Sequence, residues 1–412
     1  MTPRVTVIGA GAVGVCSALW LQRAGATVTL IDRLGPGEGC SFGNAGSLSA
    51  TAILPVAMPG VLKRVPSYLR DPLGPLTIRW AYLPRLLPWL LRFIEAGRRD
   101  RVERIAAALR SLLAPIFESY GPLAEAAGCA QLIRRDGCLY LFESQTALAA
   151  ARWGMELRRR NGCVLEELPA EEIARLEPAI APRFRHGLFA PDNGSTSDPH
   201  GLVTALARSF EAAGGNLIRA EVRAIRRDEA GARELLTDRG AFAIDRLVIA
   251  AGAWSRRLAN MLGDDPPLET QRGYHVTLPD PGIGVNRNIM AVSLNIMVNP
   301  MLMGLRLAGT VELAGLDAPP NYARADAILA QGRKLFPDLR DSGRTQWMGH
   351  RPCLPDSLPV IDRAGGAANV VYAFGHGHVG MCAAPMTGRI VRDLVLGRRP
   401  EIDISPFALA RF

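Results

Sequence analysis

The sequence predicts an α/β fold whose parallel sheet is assembled from segments far apart in the chain. Three stretches carry that expectation: Val5 to Asp32, the run Leu247 to Ser255 (LVIAAGAWS), and Asn369 to Gly397. Each is an apolar, strand-like run that stops abruptly at glycine, as a parallel strand does where its C-terminal end meets a ligand.

The first stretch reads VTVIGAGAVGVCSALWLQRAGATVTLID. Val5, Val7 and Ile8 lead into Gly9, Gly11 and Gly14, followed by a helix-period segment, Gly25, a second apolar run (Val28, Leu30, Ile31) and Asp32. Strand, helix, strand and acid fall where a Rossmann-like dinucleotide fingerprint needs them. Gly9 permits the tight turn and Gly11 lets the backbone approach a pyrophosphate. Gly14 lets the helix pack on the strand, the helix N-terminus offers free N–H groups to the anion, and Asp32 takes a ribose hydroxyl pair.

With 412 residues, 48% of them apolar, the chain is long enough for one elaborate or two ordinary domains around a large core. A balance of 48 basic to 39 acidic residues gives +9, yet the arginines are scattered or paired (Arg98 and Arg99, Arg158 to Arg160, Arg398 and Arg399). Without a basic block, nucleic acid is disfavoured as a partner; the basic balance suits anionic substrates, an anionic membrane face, or simply an arginine-rich proteome. Seven cysteines, an odd number with no C-x-x-C pair, argue against both zinc and a disulfide framework, and no metal is expected. The βαβ unit begins by residue 5 with no leader pattern ahead of it, so the expected location is the cytoplasm, with the inner face of the membrane as a peripheral site.

In chain order, Asp32 is followed by GPGEGCSFGNAG (Gly35 to Gly46), five glycines in twelve residues. Such a loop is shaped for close backbone approach to something flat or charged, with Ser41 and Asn44 as hydrogen-bonding side chains. Thr51 to Ala150 changes to proline-interrupted helices, read as an insertion outside the parallel sheet. Within it, Trp80 to Ile94 cannot span a bilayer, being broken by Pro84, Arg85, Pro88 and Arg92. Its aromatic residues beside arginines fit either a helix in a membrane interface or an internal core helix. Val102 to Leu113 reads as an amphipathic helix, and Gly137 to Phe142 and Gly187 to Ala190 as strands.

Ser197, Asp198 and Pro199 cap a helix closed by Gly214 and Gly215. A strand around Ala220 to Ile225, a hairpin through Arg239 and Gly240, and the Arg246 to Ala251 strand follow. A second excursion, Asp265 to Gln346, carries Tyr274, His275 and four irregularly spaced methionines (Met290, Met297, Met301, Met303) read as core filler. The chain then returns to GHRPCLPDSLPVI (Gly349 to Ile361) and a strand running into Gly375, His376 and Gly377 at the head of a helix. This second glycine-led helix N-terminus suits developing negative charge, such as the N1–C2=O edge of a reduced flavin.

Together, the fingerprint, the SFGNAG loop, the AAGAWS strand end and the RPCLPDSLPVI plus GHGHVG motifs resemble the FAD-dependent oxidoreductases of the D-amino-acid-oxidase superfamily. The proline-rich insertion is most similar to the bacterial D-amino-acid dehydrogenase branch. The resemblance implies an FAD-binding domain from residues 1–50, 186–262 and 346–412. It also implies an α+β substrate domain with a mixed or antiparallel sheet from residues 51–185 and 263–345. It puts Gly9, Gly11, Ala12, Val13 and Gly14 at the pyrophosphate, Asp32 and Arg33 at the adenosine ribose, and Ser41 at the diphosphate. Gly43 to Gly46, with Asn44 and Ala45, run beside the flavin ring; Val222 reads adenine and Gly252 lies near the ribityl chain. Gly375, Gly377, His378, Val379 and Gly380 cradle the pyrimidine edge. Arg351 pairs with the substrate carboxylate, the alternative being an arginine tied to Asp356. Tyr274 is the pocket tyrosine, and His275, His376 and His378 are either catalytic or a hydrogen-bonding wall.

The implied reaction is oxidation of a D-amino acid, D-proline and hydroxy-D-proline included, by hydride transfer to flavin N5. Electrons then pass to a quinone or a carrier protein. Two alternatives are a glycine- or sarcosine-type secondary-amine oxidase using oxygen, and, in a different class, a flavin-containing electron-relay subunit. The cysteine and serine of RPCLPDSLPVID, and GYHVTL after residue 272, depart from the family pattern near the expected pocket and bear on the substrate more than on the fold.

Overall fold

The computed structural model describes residues 2–61, 65, 71 and 73–412. The three stretches that end in glycine are neighbours in one six-stranded sheet. Its order is Asn216–Arg219, Thr27–Asp32, Arg4–Ile8, Arg246–Ile249, Ala367–Phe374 and Val360–Ala364, all parallel except the last. Ile8 pairs in register with both Ile31 and Ile249, which aligns Gly9, Asp32 and Ala250 on one edge. Gly9 has φ +109, and a Cβ there would meet the Ala250 carbonyl oxygen at 2.3 Å. A Cβ on Gly14 would lie 1.7 Å from the Gly9 carbonyl oxygen, so the helix Ala12–Arg23 rests directly on its own strand.

One face of this sheet carries the helices Ala12–Arg23, Pro199–Ala212 and Gly380–Leu396. The other carries a three-stranded antiparallel sheet, Val222–Asp228, Gly231–Thr237 and Gly240–Ala243. Asp198 caps the second helix by accepting from the Gly201 amide at 2.8 Å, as the Ser-Asp-Pro triplet predicts.

The second sheet has nine strands. Eight run in the order Thr345–Cys353, Glu269–Leu278, Gly304–Leu313, Ile296–Met301, Asn288–Ala291, Cys138–Phe142, His186–Ala190 and Glu166–Leu168, and Leu76–Ile78 also pairs with Gly304–Leu313. The helix Ala323–Leu335 covers its back, burying Ile328, Leu329 and Leu335 against Val276, Leu305 and Leu307.

Two expected boundaries move. The strands His186–Ala190 and Thr345–Cys353, counted with the nucleotide-binding segments, pair into this second sheet, which makes Arg351 one of its residues. The helices Arg99–Leu113 and Ile116–Ala126, inside the 51–185 insertion, bury Val102, Ile105, Leu109 and Tyr120 in the core of the first sheet. The Tyr120 hydroxyl donates to the Met381 carbonyl at 2.8 Å. Segment 51–185 therefore divides between both sheets. All seven cysteines are free thiols.

Candidate active site

Two cavities, of about 410 and about 690 Å³, share Cys40, Asn44 and Gly377 in their walls and so adjoin each other. The first is walled by Gly9, Gly11, Ala12, Val13, Asp32, Arg33, Ser41, Val222 and Gly252, and by Gly375, His376, Gly377 and Gly380. Ala45, Tyr274, Arg351, His378 and Val379 border the second. Gly14, Gly46 and His275 stand behind the walls.

In the wall of the first cavity, Asp32 accepts hydrogen bonds from the amides of Ala10 (2.6 Å) and Leu34 (2.9 Å). Burial pushes its carboxyl above the usual range, against those amides and Arg33. The Arg33 guanidinium lies 4.2 Å over the Trp254 ring. Ser41 Oγ accepts from the Ala12 amide at 3.1 Å and so closes the glycine loop onto the helix N-terminus. A second helix, Gly380–Leu396, also begins in the wall of this cavity. A cleft walled by two glycine-led helix N-termini suits an anionic dinucleotide.

The glycine loop is held from behind by the second sheet. Arg306 Nη1 donates to the carbonyls of Phe42 (3.2 Å) and Asn44 (2.8 Å), and His275 Nδ1 lies 3.1 Å from the carbonyl between them, that of Gly43. A carbonyl only accepts, so Nδ1 of His275 carries the proton. Burial and then the Arg306 charge bring this histidine down to about 3, and it is neutral; burial brings Arg306 down to about 10. His275 is thus a support for the loop rather than a group facing the cavity, and its other face stacks on Trp347 at 5.3 Å.

The floor of the second cavity follows from strand register. Gln271 pairs with Arg351, Gly273 with Gly349 and His275 with Trp347, all with the same parity and hence on one face. The glycine pair leaves a bare patch. Arg351 leans over Gly273, whose Cβ would lie 2.2 Å from its Cζ, and Trp347 leans over Gly349, whose Cβ would lie 1.9 Å from its Cη2. Arg351 Nη1 donates to the Thr310 carbonyl at 3.1 Å. Thr310 has φ 57 at an irregularity of the Gly304–Leu313 strand, an uncommon conformation for a β-branched residue, and this re-aims its carbonyl.

No carboxylate lies within 4.0 Å of Arg351 among the described residues, and burial holds its pKa below the ordinary value. Asp356, the alternative partner, is taken by Arg411 at 2.7 Å. Among the described residues of this cavity's wall there is no aspartate or glutamate.

Tyr274 does not present its hydroxyl to this floor. Strand alternation turns it to the opposite face, where it donates to Glu312 Oε2 (2.6 Å) and accepts from the Asn321 amide (2.9 Å). His376 Nε2 is 3.0 Å from Thr387 Oγ1 and His378 Nε2 is 3.1 Å from Gln271 Oε1. Burial brings both to about 3, with Arg351 adding to the effect at His378, so both are neutral hydrogen-bonding walls. Sequence reasoning missed Gln271, Arg306, Thr310 and Trp347. The available signal was parity: Gln271 and Gly273 share a face in any strand, and so do Trp347, Gly349 and Arg351.

The family model for FAD-dependent oxidoreductases of the DAO type matches residues 4–394. A D-amino-acid oxidase of Bradyrhizobium diazoefficiens is 44% identical, covering 99% of this chain and 98% of the relative. A D-amino acid dehydrogenase of Paramagnetospirillum magneticum is 35% identical, covering 99% of both chains. Among solved structures, glycine oxidase from Geobacillus kaustophilus superposes with a TM-score of 0.75 at 24% identity, over 100% of both chains, a likeness of fold. With the glycine-walled cleft, the clamped loop and a match from the first strand into the last long helix, the chain belongs to the DAO family of FAD-dependent oxidoreductases.

Proposed function

We propose that this enzyme oxidises the Cα–N bond of a D-amino acid, cyclic imino acids such as D-proline and hydroxy-D-proline included, and delivers the electrons to a quinone or another carrier. The observation that carries the reading is Arg351: a half-buried guanidinium over a bare glycine floor, with no acidic partner among the described residues. The names of the 44% and 35% identical relatives, a D-amino-acid oxidase and a D-amino acid dehydrogenase, point the same way. In this reading the first cavity takes the adenosine and diphosphate of FAD against Gly9 to Gly14, Asp32 and Ser41, with Val222 at the adenine. The loop Gly43 to Gly46 and the turn Gly375 to Gly380 take the ring.

When bound, FAD supplies a hydride acceptor at N5. The protein's task is positioning. Arg351 fixes the substrate carboxylate, which decides the Cα–H that faces the acceptor and hence the stereochemistry. A wall without a carboxylate suits a hydride departure from the neutral amine, which needs no side-chain base. Apolar residues such as Ile78, Trp89, Met290 and Met297 exclude water around it. An electron-relay subunit has no use for such a clamp.

The test is an anaerobic visible spectrum of the FAD-loaded protein against D-amino acids, L-amino acids, proline analogues and sarcosine. Bleaching by D-amino acids is expected; bleaching by sarcosine or L-amino acids alone, or by none, overturns the reading. Readmitting air then separates oxygen from other acceptors.

We place the carrier at a membrane. The helix Leu83–Ala96 buries Leu86 and Trp89, while Leu87 and Leu91 stay exposed and Ile94, also exposed, borders the second cavity, with Trp80 67% exposed ahead of the helix. Arg79, Arg85 and Arg92 are exposed beside this apolar face, which suits the interface of an anionic bilayer. Among the described residues no helix is long and apolar enough to cross a membrane. Trp80→Ser with Leu91→Ser should lower partitioning onto phosphatidylglycerol vesicles by about tenfold or more, scored by flotation; wild-type protein that stays unbound sinks the placement.

A further inference from the structure

The hydrogen-bonding capacity around Arg351 is left incomplete in a specific way. Gln271 stands directly opposite Arg351 across the antiparallel pair, on the same face of the sheet. Gln271 as a whole is 4% exposed, and its Oε1 lies 3.1 Å from His378 Nε2. Its Nε2 has no hydrogen-bond partner among the described residues, yet it is not sealed in protein, and Gln271 lines the cavity. Arg351 likewise uses only Nη1, on the Thr310 carbonyl, and its remaining N–H groups are not sealed either. Two neighbouring side chains therefore hold donors toward the cavity that both line, Gly273 giving the Arg351 side chain the room to lie beside Gln271. A group that only accepts, through two oxygens, satisfies both at once.

We propose that Gln271, oriented by His378, is the second arm of the substrate-carboxylate clamp, Arg351 being the first. This rests on the amino-acid reading above and adds a residue to its site. Neutral His378 with its proton on Nε2 donates to Gln271 Oε1, which turns the amide NH₂ toward the ligand; His378 is a positioning residue and Gln271 a binding one. The residue type follows from the neighbour. A glutamate at position 271 would set a carboxylate beside Arg351 and occupy the guanidinium, whereas glutamine shares the anion without competing for the cation. The arrangement leaves a largely buried amide with its oxygen anchored on His378 and its NH₂ open to the cavity.

The experiment uses the FAD-loaded enzyme and benzoate as a non-reacting monocarboxylate, with its Kd read from the perturbed visible spectrum of the bound flavin. KM and kcat for the best amino acid are measured alongside. Gln271→Leu is expected to raise both the benzoate Kd and KM by about tenfold, with kcat within about twofold and FAD content unchanged. Gln271→Glu should raise them further. His378→Phe, which frees the amide without touching the strand, should raise them about threefold to tenfold and serves if the Gln271 variants do not fold. Arg351→Met is the reference. Wild-type benzoate binding in Gln271→Leu and His378→Phe, with binding lost in Arg351→Met, overturns the second arm and leaves the amino-acid reading standing. Benzoate binding unchanged in Arg351→Met as well overturns both.

Discussion

Arg351→Met should lower kcat/KM for the amino acid by about a hundredfold, and Arg351→Lys by more than tenfold, while neither lowers thermal stability. The loss follows from the bond type: a guanidinium–carboxylate fork contributes roughly 2–3 kcal/mol, which is a factor of about 30 to 150. Lysine keeps the charge but not the planar fork, so it recovers part of the affinity and little of the orientation. Stability should move the other way. Arg351 has only the Thr310 carbonyl as a protein partner among the described residues, and burial works against its charge. Replacing an unpaired half-buried cation by a side chain of similar length removes a desolvation cost and should leave Tm unchanged or higher. Steady-state kinetics and a thermal melt on the same preparations decide it. A variant that loses activity together with stability would make Arg351 a structural residue, and one with wild-type kcat/KM would remove it from the site.

The parts of this molecule readable in the sequence are those whose physics is local. Gly9, Gly11, Gly14 and Asp32 lie within one βαβ unit, and their spacing alone states which residue turns, which approaches and which packs. Arg351 is visible because the motif it stands in, GHRPCLPDSLPVI, is dense in prolines. Tyr274 and His275 mark where this ends. As consecutive residues of one strand they face opposite sides, and only the register with Thr345–Cys353 shows which side is the cavity. Gln271 owes its position to a partner 80 residues away, and Arg306 to a loop more than 260 residues away, separations that no periodicity reports. The same holds for the helices Arg99–Leu113 and Ile116–Ala126. Their apolar periodicity says that one face is buried, but not against which sheet.

Arg306→Met should weaken FAD binding by about tenfold to a hundredfold without dissolving either sheet. Arg306 is 4% exposed, is fixed by Thr277 Oγ1 at 3.1 Å, and spans the carbonyls on either side of Gly43. Methionine fills similar space but leaves both carbonyls without their donor, and an unmet buried acceptor costs about 1–3 kcal/mol. That cost falls on the loop's bound conformation, so it is recovered when the loop shifts and is charged against the cofactor that needs the loop in place. His275 still holds Gly43, which is why the loss is partial, and His275→Phe in the same background should take most of what remains. Fluorescence of released flavin during dialysis gives the Kd, and circular dichroism reports the sheets. FAD retained with wild-type affinity in the double variant would show that the three carbonyl contacts are incidental. If they matter, carboxylate binding weakens in parallel even though Arg306 lies behind the wall. Asn44, one of the two residues it grips, borders both cavities, and the loop that seats the cofactor then also shapes the space in front of Arg351.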